Sequence, residues 1–119
     1  MAYQYINLEY LYKHSNGKMD VVAHMLHLSK LNVQMYRKEM IEYFVNASWY
    51  KLAETAFWAK QKLPLVGLVD FSAKMNELEK LTHKGEDVEA MEKIIREFDE
   101  AAPKIIEELE EELQKLILE

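Results

Sequence analysis

Few side chains in this sequence can take up a proton, a metal or a phosphoryl group. Four histidines occur, His14, His24, His27 and His83, and there is no cysteine. Thiol chemistry and disulfides are therefore excluded. His24 and His27 stand three apart and share a face if their segment is helical. A metal site needs a third or fourth ligand, and no neighbouring Asp, Glu or His supplies one, so no metal is expected. His14 and His83 fall at expected helix ends, where capping is the ordinary role. No Ser-His-Asp set and no pair of carboxylates stands out, so neither catalysis nor a cofactor is expected.

The stretch Ala56-Phe57-Trp58-Ala59-Lys60-Gln61-Lys62-Leu63-Pro64-Leu65-Val66-Gly67 carries more information. It resembles the signature of histidine phosphotransfer (HPt) domains. That family has Ala-His-x-Leu-Lys on a helix and a glycine ten residues after the histidine. Ala56, Lys60 and Gly67 stand at matching positions, and Phe57 takes the place of the phosphoacceptor. A phenyl ring has no nitrogen to carry a phosphoryl group. The resemblance thus implies a phosphorelay fold that cannot relay through this position, a pseudo-HPt domain that is not an enzyme. Gln61 and Leu63-Pro64 depart from the small polar residues usual there. None of the four histidines restores the motif: Lys30 follows His27 by three, but position 37 is Arg37 rather than glycine.

On a wheel of roughly 100° per residue, Trp49, Leu52, Ala56, Ala59 and Leu63 form the stripe that faces a core. Tyr50, Glu54, Phe57, Trp58 and Gln61 fall off it. The resemblance implies that Phe57 projects from the bundle side, within a partner's reach. Tyr50 and Phe57 are two turns apart on one face. These aromatics are either covered by a neighbouring helix or form an exposed apolar patch, which on a folded domain marks a protein interface. The candidate partner-binding set is Tyr50, Glu54, Phe57, Trp58, Lys60 and Gln61. Lys60 is expected at its rim, either meeting the acidic pocket of a receiver or simply solvated.

The elements that must hold this face are helical. The sequence has only three glycines and two prolines and shows no strand-like alternation. A short helix is expected after Asn7, ending near Ser15-Asn16-Gly17. Residues 19–29 and 31–45 form either one bent helix or two. Ser48 is a good N-cap for a helix reaching Lys62, where Pro64 disfavours continuation. The next helix spans about 66–82, with Phe71, Met75, Leu78 and Leu81 inward, and ends at His83-Lys84-Gly85. The last begins at Glu86-Asp87 and carries a stripe from Val88 through Met91, Ile95, Phe98, Ala102, Ile105, Leu109 and Leu113 to Leu116. Pro103 predicts a kink there rather than a stop, because the stripe resumes in phase. This helix outruns its neighbours and needs cover, for which the N-terminal segments are available. The acidic run 107–112 reads as a solvated face. Together these elements predict an all-α, antiparallel four-helix bundle of HPt type. It has one or two short N-terminal helices and a long C-terminal one.

At 119 residues the chain is expected to form one domain spanning 1–119. Its net charge of −6 argues against nucleic acid as a main partner. No apolar run approaches the ~20 residues of a membrane span. The N-terminus lacks a basic region followed by an apolar stretch, so no signal peptide is expected, and a cytoplasmic address is. The resemblance implies a monomeric signalling adaptor that binds a response-regulator receiver domain or a sensor histidine kinase. Two other functions fit the same residues: active phosphotransfer through another histidine, or a helical interaction domain with an unrelated partner.

Overall fold

Asn7 precedes the first helix rather than capping it: Leu8 holds the N-cap position, and the Asn7 side-chain oxygen accepts the Glu9 amide at 3.0 Å in a local turn. The computed structural model describes residues 3–118, and among them every regular element is helical. Helix α1 covers Glu9–His14 and stops where Asn16 and Gly17 turn left-handed. Helix α2 runs unbroken over Met19–Val45. Only α1 is therefore short, because nothing between Ser29 and Leu31 interrupts the backbone ladder: there is no glycine or proline there.

Helix α3 spans Trp49–Lys62. Ser48 holds the N-cap position, but its side chain makes no capping bond. Its amide instead donates to the Tyr43 carbonyl at 2.8 Å, closing the turn from α2. Pro64 converts the end of α3 into a 3-10 turn at Leu63–Val66, and Gly67 ends that turn with φ 81°. This left-handed residue displaces the start of α4, which spans Val69–Lys84 rather than beginning at residue 66. Gly85, at φ 64°, caps α4 by donating to the Leu81 carbonyl at 3.1 Å. Asp87 opens α5, Val88–Leu118, by accepting the Ala90 amide on its carboxylate at 3.2 Å. The last helix continues through Pro103, as the in-phase stripe requires.

Helix α5 has 31 residues, about 46 Å at 1.5 Å each, and accounts for the 48 Å long axis of the molecule. It packs chiefly on α2, and α3 packs chiefly on α4, while α2–α3 and α4–α5 contacts complete the helical assembly. The core contains Leu52, Ala56, Leu78, Ile95 and Phe98, all buried. Val88 is exposed and does not belong to the stripe it was expected to open.

The acidic run on α5 is not uniformly solvated. Glu108 is only 2% exposed. Its carboxylate accepts three backbone amides of the N-terminal segment, from Gln4 at 2.8 Å, Tyr5 at 3.0 Å and Ile6 at 3.1 Å. One turn on, Glu112 accepts the hydroxyls of Tyr3 and Tyr12. The N-terminal segment thus covers the overhanging end of α5, and two carboxylates hold it there. Those amides have no helix or sheet of their own, so a buried acceptor satisfies them.

Candidate docking face

The outward side of α3 carries the aromatic residues. Tyr50 is 82% exposed, Trp58 52% and Phe57 38%. Leu52, Thr55, Ala56 and Ala59 on the opposite side are buried, so the helix is divided between core and surface. Phe57 and Trp58 meet edge to face with centroids 5.3 Å apart, which fixes both rings without covering them. Tyr50, Ala53, Glu54, Phe57 and Trp58 line one hollow of about 320 Å³ between α3 and α4. Ala56 does not border this patch, because it is fully buried in the core.

Lys60 is not a free cation at the rim. Its ammonium lies 2.5 Å from a Glu79 oxygen and 3.2 Å from the Asn76 side-chain oxygen, both on α4. It also sits 5.4 Å from the centroid of Phe57. Most of its charge is therefore spent inside the molecule, on the α3–α4 seam. Ser72 reinforces the same seam by donating its hydroxyl to the Lys60 carbonyl at 2.8 Å. Gln61 is separated from the aromatic set. It lines a different hollow, with Asn7, Tyr10, Pro64 and Gly67, beside the N-terminal segment. Tyr50, Glu54, Phe57 and Trp58 are thus brought together, Lys60 stands behind them, and Gln61 is elsewhere.

Gly67 has a packing reason for its identity. A Cβ built on it would lie 2.4–2.6 Å from the backbone nitrogen, carbonyl oxygen and Cβ of Asn7. The Asn7 amide donates to the Val66 carbonyl at 3.0 Å in the same place. Glycine permits both the left-handed turn and this close approach.

One histidine adjoins the aromatic set. His83, near the end of α4, lines the same hollow as Phe57, with Nε2 4.0 Å from Glu79. Nothing in its sequence position signalled this, since the hollow exists only once α4 lies against α3. His14, His24 and His27 are exposed and line none of these hollows. Among the described residues, no group of three or more His, Asp or Glu side chains is arranged to hold a metal ion.

No family model, no curated protein and no solved structure matches this chain. No helix among the described residues is long and apolar enough to cross a membrane.

Proposed function

We propose that this protein is an HPt-like adaptor: an antiparallel four-helix bundle that docks a receiver domain or sensor kinase in the cytoplasm without transferring phosphate. The observation that carries the reading is the position of Phe57. It stands in the motif frame with Ala56, Lys60 and Gly67, and it is solvent-exposed beside Tyr50 and Trp58 on α3. An exposed aromatic cluster of this kind supplies the anchor residues from which interface hot spots are built. With no acceptor nitrogen, the face competes with, sequesters or scaffolds a partner and performs no catalytic step.

The test is a transfer assay. The chain is incubated with a phosphorylated receiver, or with an active sensor kinase and ATP, and examined for acid-labile, base-stable label. No label is expected. Stoichiometric labelling of a histidine refutes the silent-adaptor reading.

One observation favours a second reading, in which the chain is an active phosphotransfer protein through His83. That imidazole borders the Phe57 hollow and is solvent-exposed. His83→Gln in the same assay separates the readings, because it removes all label if His83 is the acceptor and changes nothing otherwise.

A further inference from the structure

On its other side, α3 forms a second groove, against α2, whose lining differs in character from the first. Its volume is about 380 Å³, and its walls include Tyr36, Tyr43 and Trp58 together with Glu39, Glu54 and Thr55. The Thr55 hydroxyl donates to Glu39 at 3.1 Å, which holds that carboxylate in the groove. Among the described residues, neither Glu39 nor Glu54 has a Lys, Arg or His within 4.0 Å, and the same is true of Glu42 nearby. About half of the other carboxylates on the helices have such a cation; these three do not. Their field reaches the aromatic wall. Burial pushes the Tyr43 hydroxyl above its ordinary pKa, and Glu39, Glu42 and Glu54 add to that rise. Burial and Glu39 raise Tyr36 in the same way.

We propose that this groove receives a positively charged side chain, an arginine or lysine, presented by a protein partner. Aromatic faces and uncompensated carboxylates attract the same kind of group, and together they favour a flat, weakly hydrated guanidinium most. Lys51, which does not line the groove, holds its ammonium 5.8 Å from the Tyr43 centroid, so this ring already has a cation near it. Lys62 borders the groove and opposes a second cation, so the site accommodates one charge rather than a basic run. The occupant is a protein side chain because Trp58 and Glu54 line both this groove and the α3–α4 hollow. A partner seated on the aromatic ridge therefore covers both. The inference rests on α3 being a docking face, and it adds the partner's chemistry: a basic residue placed beside an apolar contact.

The test is an NMR titration of the labelled full chain with N-acetyl-arginine amide, set against N-acetyl-citrulline amide, which has the same shape without the charge. The arginine probe should shift Tyr43, Thr55 and Trp58 signals saturably, and citrulline should bind at least about tenfold more weakly. Glu39→Gln with Glu54→Gln should reduce the arginine response to the citrulline level, and Trp58→Leu should weaken it in an otherwise unchanged spectrum. Phe57→Ala should keep a saturable arginine response, because Phe57 does not line this groove and touches it only through the Trp58 ring, so loss of receiver docking with the arginine response retained separates the two readings. Equal binding of citrulline, non-saturating shifts scattered over the α5 carboxylates, or undiminished binding to the double variant would each overturn the proposal.

Discussion

Lys60 of α3 and Glu79 of α4 form an ion pair at 2.5 Å, and both side chains are more than half buried. The lysine at the motif position therefore ties two helices together instead of waiting for a partner. Lys60→Ala should lower stability by about 0.5–1 kcal/mol, the upper part of the range for partly shielded pairs. Urea denaturation checks this. A change confined to partner association, with stability untouched, would return Lys60 to the rim.

Gly67 and Asn7 make the tightest backbone approach between the N-terminal segment and the 3-10 turn. Gly67→Ala adds a methyl where the Asn7 backbone already lies and imposes a side chain at φ 81°. A cost of about 1–3 kcal/mol is expected from the strained conformation alone, and more from the clash. A thermal melt decides the matter; an unchanged midpoint would mean that the Asn7 segment moves away freely.

Core and surface aromatics should separate cleanly. Phe98→Ala and Leu78→Ala each empty a fully packed site and should cost roughly 2–5 kcal/mol. Phe57→Ala and Trp58→Ala remove half-covered or exposed rings and should stay within about 1 kcal/mol. Parallel denaturation curves of the four variants test the division between core and docking face. A loss at Phe57 as large as at Leu78 would make Phe57 a core residue.

The N-terminal anchor should depend on pH. Burial pushes Glu112 up, but the hydroxyls of Tyr12 and Tyr3 outweigh it and hold the carboxyl below its ordinary value. A folded-state pKa below the unfolded one gives stability that is complete above the ordinary carboxylate value, near ~4.3, and is lost as pH falls through the depressed value. Tyr3 moves the other way. Burial and its bond to Glu112 raise it, so its contribution holds through the ordinary phenol range, near ~10, and is lost only as pH rises beyond it. Glu112→Gln should cost about 1 kcal/mol at neutral pH. The gap in melting temperature from the parent should narrow as the pH falls below ~4. A gap independent of pH would mean that the carboxylate charge does not hold the segment.

Much of the fold follows from local rules. Gly17, Pro64, Gly85 and Asp87 each act where their backbone chemistry requires, whereas Asn7 sits one residue ahead of the cap it was expected to form, and helical spacing placed Leu52, Ala56, Leu78 and Phe98 in the core. The start of α4 was misjudged because Gly67 turns left-handed to close the 3-10 turn, its amide donating to the Pro64 carbonyl and that of Leu68 to Leu63, and a helix cannot run through that turn. Glu108 was legible in principle. It follows Ile105 by three and precedes Glu112 by four, so both carboxylates flank the buried stripe, but acidic type outweighed position. The Lys60–Glu79 pair and the approach of His83 to Phe57 depend on how α4 meets α3, and no spacing within either helix encodes that meeting.

The central claim is that the exposed ridge of Phe57 and Trp58 docks a phosphorelay partner in place of relaying phosphate. Calorimetric titration against receiver domains and sensor-kinase domains from the same genome tests it most directly, with the parent chain, Phe57→Ala and Trp58→Ala compared at matched thermal stability. The account predicts that at least one such domain binds, and that each truncation weakens it by about 1–3 kcal/mol, roughly 5- to 150-fold. Absence of binding to any of them, or a dissociation constant indifferent to both truncations, would contradict it.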